Sequence, residues 1–166
     1  MATALFVDIS HIKRNSIIDG NVDPDKIIQF CKLGQKMNLE NYLGTKLYNK
    51  ISNDIINNTL TGDYLELRDD YIAPMLIHFA MVEYLYFAPY TLKNGGLYKH
   101  SSENSDVPSK EEVDFLAQKH RGYAEFYTRR FIDYLCFNVS KFPEYNQNIN
   151  DDMHPDKTAN FVGWVF

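Results

Sequence analysis

The sequence predicts a mainly α protein, a helical bundle of about four to five helices with one long inter-helix loop and an extended C-terminal arm. Three observations point there. Apolar residues recur at three- and four-residue spacing along most of the chain. The periodic runs are bracketed by residues that start and stop helices. Only the segment around Gly95 carries the marks of a tight turn and a short strand. With 166 residues, 45% of them hydrophobic, a single domain can bury roughly two-thirds of its unfolded surface and needs no staple. We divide the chain into a helical domain over 1–138, containing the loop 91–109, and an extended arm over 139–166 with no core of its own.

The first element is a short turn from Asp8 through "DISHIKR", with Ile9 and Ile12 inward, before a turn at Asp19 and Gly20. The next is better marked. Asp23 caps backbone N–H groups, Pro24 suits the first helical position, where its missing donor costs nothing, and Ile27, Ile28, Cys31 and Gln35 share one face to about Met37. "NLENYLG" adds a turn or two before Gly44, a left-handed cap, and "TKLYNKISNDIINN" resumes with Leu47, Tyr48, Ile51 and Ile55 on one stripe. From Asp63 a helix with Tyr64, Leu65, Tyr71 and Ile72 inward meets Pro74, which removes a donor and predicts a kink before "MLIHFAMVEYLYFA". Residues 71–90 are apolar nearly all round. Pro74, His78 and Glu83 interrupt them, so a helix at the centre of a bundle is expected rather than a membrane span.

The loop "NGGLYKHSSENSDVP" follows, its glycines setting a turn and Leu97 and Tyr98 beginning a short strand of a β-hairpin. Ser109 and Glu112 then form a capping box that starts the longest helix. On it Val113, Leu116, His120, Tyr123, Tyr127, Phe131 and Leu135 make the expected core stripe, and packing against 71–90 is expected because neither segment can be solvated alone. Phe115, Phe126 and Phe137 widen the apolar surface beyond that stripe, which suggests a partner. The arm is polar until its last residues, "FVGWVF". Phe161, Val162, Trp164, Val165 and Phe166 therefore form a candidate docking peptide for another protein.

Chemistry is sparse. The five histidines, His11, His78, His100, His120 and His154, show no metal-ligand spacing, and His78 and His120 are expected as half-buried histidines of the core. Cys31 and Cys136 are expected as buried free thiols, and no nucleophile, phosphate loop or cofactor motif is present. No cofactor and no enzymatic activity are expected. The net charge of −5 is spread without a basic block, which argues against specific nucleic-acid binding.

The segments "GNVDPDKIIQFCKLGQ", "NYLGTKLYNKI", "LTGDYLELRDDYIAPMLIHFAMVEYL", "KNGGLYKHSSEN" and "AEFYTRRFIDYL" together resemble the head-tail connector (head-completion or adaptor) proteins of phages, in the branch found in Bacteroidetes and crAss-like phages. The resemblance implies a small helical subunit that assembles as a homo-oligomeric ring of about twelve under the portal protein, next to other tail or ring proteins. DNA would pass through the channel without specific binding. It also implies that the loop with Gly95, Gly96, Leu97 and Tyr98 reaches along a neighbouring subunit or toward the lumen, and that the protein resides in the virion at the portal vertex, having been in the host cytoplasm during assembly. The arm after Asn138 lies outside the resemblance; its aromatic end alone points to docking on the portal, with folding back over its own subunit as the alternative. The alternative expectation is a standalone helical adaptor or regulatory protein that binds a single phage or host protein through the same arm.

Overall fold

The computed structural model describes residues 4–18, 21–99, 107–147 and 152–158. It is mainly helical with one small hairpin: α1 (Ile9–Arg14), α2 (Pro24–Gly34), α3 (Glu40–Ile56), α4 (Asp63–Glu66), α5 (Ala73–Phe87), β1 (Tyr90–Lys93), β2 (Gly96–Lys99) and α6 (Lys110–Phe137). The central helix α5 buries Met75, Leu76, Phe79, Ala80 and Met81 on several sides at once, between α2 on one flank and α6 on the other. Among the described residues no helix is long and apolar enough to cross a membrane.

The start signals behave as their chemistry requires. Asp23 Oδ1 accepts from the Asp25 amide at 3.0 Å with Pro24 at the first helical position. At α6 the Glu112 amide donates to Ser109 Oγ at 3.2 Å, and the Ser109 amide donates to Glu112 Oε2 at 2.8 Å. Gly44 does adopt a left-handed backbone, φ 71°, but as a kink within α3 rather than an end. Pro74 likewise does not break the chain of helix. A π-helical turn, Leu67–Ile72, precedes α5 and widens the backbone where the proline ring would press on the preceding turn. A second π-helical turn, Gln35–Leu39, joins α2 to α3.

That second turn holds the one buried amide side chain of the described core. Gln35 accepts from the Phe6 amide and donates to the Ala4 carbonyl, each at 3.0 Å, which ties the N-terminal strip to the bundle. Phe6 then stacks on Tyr48 of α3, ring centres 5.0 Å apart.

Three expectations change. On α6 the buried residues are Ala117, His120, Ala124, Thr128, Phe131, Ile132 and Leu135, whereas Leu116 and Tyr123 are exposed and Val113 and Tyr127 only half-buried. The helix is turned from the predicted stripe because α5 presents bulky side chains. Small residues on α6 let the two axes approach, and the larger rings are pushed to the margins. Cys136 is exposed, not buried, while Cys31 is buried and its thiol pKa is pushed up to about 12 by burial. Finally, the segment after α6 joins the shared core. Phe142 and Tyr145 are fully buried, and Phe142 meets Tyr64 edge-on at 5.3 Å. Lys141 pairs with Asp63 at 2.8 Å, and Tyr64 donates to Glu144 at 2.6 Å. Residues 152–158 also lie on the helical body, where Thr45 N donates to Met153 O at 3.0 Å and Asp156 N to Asn41 O at 2.8 Å.

Candidate interaction surfaces

The hairpin projects from the end of α5. Lys93 pairs with Gly96, so Asn94 and Gly95 form the two-residue loop, neither of them at positive φ. Gly96 sits at φ 131°, open to glycine alone at no cost. At Gly95 a Cβ would come within 2.8 Å of the Tyr98 hydroxyl, so Tyr98 folds over the turn. The whole of β2 is exposed, with Leu97 at 66% and Tyr98 at 49%. All four residues expected to contact a neighbour thus gather on one protruding element.

Beneath the hairpin lies a groove of about 800 Å³ between α2 and α5, walled by Val22, Phe30, Leu33, Phe87, Tyr90 and Leu97. Phe30 forms its floor, stacked on Phe87 at 5.6 Å and edge-on to Tyr84 at 5.6 Å. Nothing in sequence order announces this groove, since its walls are about 60 residues apart along the chain.

A second apolar surface runs down the solvent side of α6. Phe115, Phe126 and Phe137 are 59%, 56% and 88% exposed. Lys119 lies over the Phe115 ring at 5.5 Å and Arg130 over the Phe126 ring at 5.9 Å.

The structure also brings together two residues that the sequence treated separately. His78 of α5 and His120 of α6 face each other, Nδ1 to Nδ1 at 3.1 Å, so one ring donates to the other and both cannot be charged at low cost. Tyr127 stacks on His78 at 5.5 Å and Tyr123 lies at 5.2 Å. Burial, and after it the charge of His120, push the His78 pKa down to about 4; burial also lowers that of His120. A small cavity of about 170 Å³ beside His78 is lined by His11, Asn15, Pro74, Ile77 and Tyr127. No group of three or more His, Cys, Asp or Glu able to hold a metal ion occurs among the described residues.

The predicted docking residues Phe161, Val162, Trp164, Val165 and Phe166 lie outside the described residues. What precedes them is anchored. A Cβ on Gly44 would stand 2.8 Å from Pro155 Cδ, so only glycine lets residues 153–155 lie this close to α3.

Residues 39–153, more than half of the chain, match the model of the family described as "Family of unknown function (DUF6712)", and the chain belongs to that family. The two ends of the matched region meet in space, through the bond between Thr45 and Met153. No curated protein and no solved structure matches the chain.

Proposed function

We propose that the chain is a structural virion protein, a head-tail connector that forms a ring of about twelve copies between portal and tail and continues the DNA channel. The observation that carries this reading is the hairpin. A two-stranded ribbon exposed along β2, tipped by Leu97 and Tyr98 and set beside an open apolar groove, is costly to hold in water on a lone subunit. It makes sense where the next copy covers it. The resemblance of residues 93–104 and of the flanking helices to phage connectors points to the same use of this loop.

In that setting the other properties acquire roles. About twelve chains at −5 each would bring roughly −60 to the ring, which disfavours adhesion of polyanionic DNA to an exposed lumen within the ~8–10 Å that salt allows. Binding of DNA is therefore weak and without sequence preference, and neither cofactor nor catalysis is called for. The arm delivers Phe161, Trp164 and Phe166 to the portal from the fixed strap at 152–158. Each arm binds weakly, but once one has engaged the others act at high effective concentration.

Two deletions test this. A chain lacking residues 95–106 should fold but fail to close its ring on the portal, because loops cost little to shorten while a lost contact recurs at every interface. A chain lacking residues 160–166 should fold and no longer co-sediment with the portal. Normal rings from the first, or unchanged co-sedimentation of the second, would contradict the corresponding assignment. A wild-type chain that binds one protein partner without forming a ring would instead favour the standalone adaptor.

A further inference from the structure

The outer face of α6 is complementary to itself. Phe115 and Phe126 are eleven residues apart, about three turns, and so stand on nearly one line of the helix. Glu111 and Arg129 are eighteen apart, about five full turns, and share a second line; Glu112 and Arg130 share a third, on the other side of the phenylalanines. These lines lie opposite the buried Ala117, Ala124 and Leu135. When two such helices run antiparallel with Phe115 against Phe126 of a second copy, the same register sets Glu111 opposite Arg129 and Glu112 opposite Arg130. The two-fold axis repeats all three contacts. Acids in the first half and arginines in the second half of one helix face thus supply the charge complementarity for a symmetric pair.

Gly122 is an independent observation. Glycine is the poorest helix former after proline, yet it stands near the middle of α6 on this face. Among the described residues nothing lies within 4 Å of where its Cβ would be, so no contact there requires a glycine. It flanks the centre of the pairing register and faces Lys119 of the second copy, where a missing side chain lets two helices approach closely. At the other end of the contact, Val107, Pro108, Glu111, Glu112, Phe115 and Leu116 line a shallow groove of about 690 Å³, two acids beside an apolar floor. That is the chemistry to receive a phenylalanine followed three and four residues later by arginines, the arrangement of Phe126, Arg129 and Arg130.

We propose that the outer face of α6 is a docking surface for a second copy of this chain, forming an antiparallel two-fold pair through Phe115, Phe126, Glu111 and Arg129. The pairing does not depend on the ring reading: it uses none of the hairpin's residues, and a two-fold contact closes at two copies. Because it involves a single helix from each chain, it is expected at the small end of stable interfaces and should be reversible on dilution.

The test is the mass of the full chain by sedimentation equilibrium at tens of micromolar. In the absence of the portal, wild type should read about twice the 19.4 kDa of one chain. Glu111→Arg alone and Arg129→Glu alone each set like charges against each other in both halves of the pair and should read as monomers. Mixed in equal amounts they should regain the doubled mass, because each chain then meets its opposite. Gly122→Leu should weaken the pair at least tenfold while the melting temperature of the dilute, monomeric chain does not fall, since leucine is the better helix former. A monomeric wild type, single variants that keep the wild-type mass, or a mixture that stays monomeric would overturn the proposal.

Discussion

Lowering the pH from 7 to 5 should destabilise this protein through the His78–His120 pair. In the unfolded chain a histidine takes up its proton near pH 6.5. In the fold, His78 does so only at about 4. The unfolded state therefore binds more protons throughout this interval, and stability rises with pH. The contribution is fully present above about pH 6.5 and is lost as the pH falls toward 4. Worked through at pH 5, that depression corresponds to roughly 2 kcal/mol, and the partial exposure of the ring reduces it to about 1 kcal/mol. His120, lowered by burial, adds in the same direction. The groups facing His78 from the packed helices are His11 of α1 and His120, Tyr123 and Tyr127 of α6, with no carboxylate among these neighbours to stabilise a charged ring. The assay is urea unfolding followed by circular dichroism at pH 7, 6 and 5, where ordinary carboxylates are still largely ionised. In the His78→Phe/His120→Phe variant, which keeps a ring against Tyr127, most of the decline should disappear. A variant that loses stability as steeply as wild type between pH 7 and 5 would refute the reasoning.

Ala124→Leu, placed in the seam between α5 and α6, should cost about 1–3 kcal/mol by overpacking. By contrast Leu116→Asp, at 38% exposure, should shift the stability of the monomer by less than about 1 kcal/mol, and thermal melts of the two variants check both. Gly44→Ala combines a left-handed backbone with a Cβ pressed against Pro155, and about 1–3 kcal/mol of destabilisation is expected. In a chain ending at residue 147 the same substitution should cost only the backbone share, about 1 kcal/mol, as read by denaturant unfolding. Gln35→Leu strands the Phe6 amide and the Ala4 carbonyl and should cost about 1–3 kcal/mol, with hydrogen exchange at Phe6 accelerated first.

Local chemistry was legible wherever one residue type has one good use. Asp23 before Pro24, Ser109 with Glu112 and the turn at Gly95 and Gly96 read correctly, because caps and turns depend on neighbours in sequence, whereas Gly44 was expected to end a helix and instead kinks one. Which side of α6 is buried was not legible. Periodicity favoured the larger rings Tyr123 and Tyr127, but close approach to the bulky α5 selects Ala117, Ala124 and Thr128. A stripe of small residues at the same spacing was the available signal. Pairs made only in three dimensions left no trace in the chain order: His78 with His120, Gln35 with the strip at Ala4 and Phe6, and Phe142 with Tyr64. The two π-helical turns were hidden too, since a single extra residue in a turn leaves the apolar spacing almost unchanged. At the candidate surfaces, the exposed hairpin and the outer phenylalanines of α6 were anticipated, while the groove under the hairpin needed α2 and α5 side by side.

Electron microscopy of this chain mixed with a phage portal protein separates the ring from a lone adaptor. The expected result is a closed ring of this chain, coaxial with the portal and beneath it, with density for each hairpin crossing to the adjacent subunit and the channel continuous through both rings. Portal particles bare of this chain, or with the chain bound in one copy away from the channel axis, would contradict it.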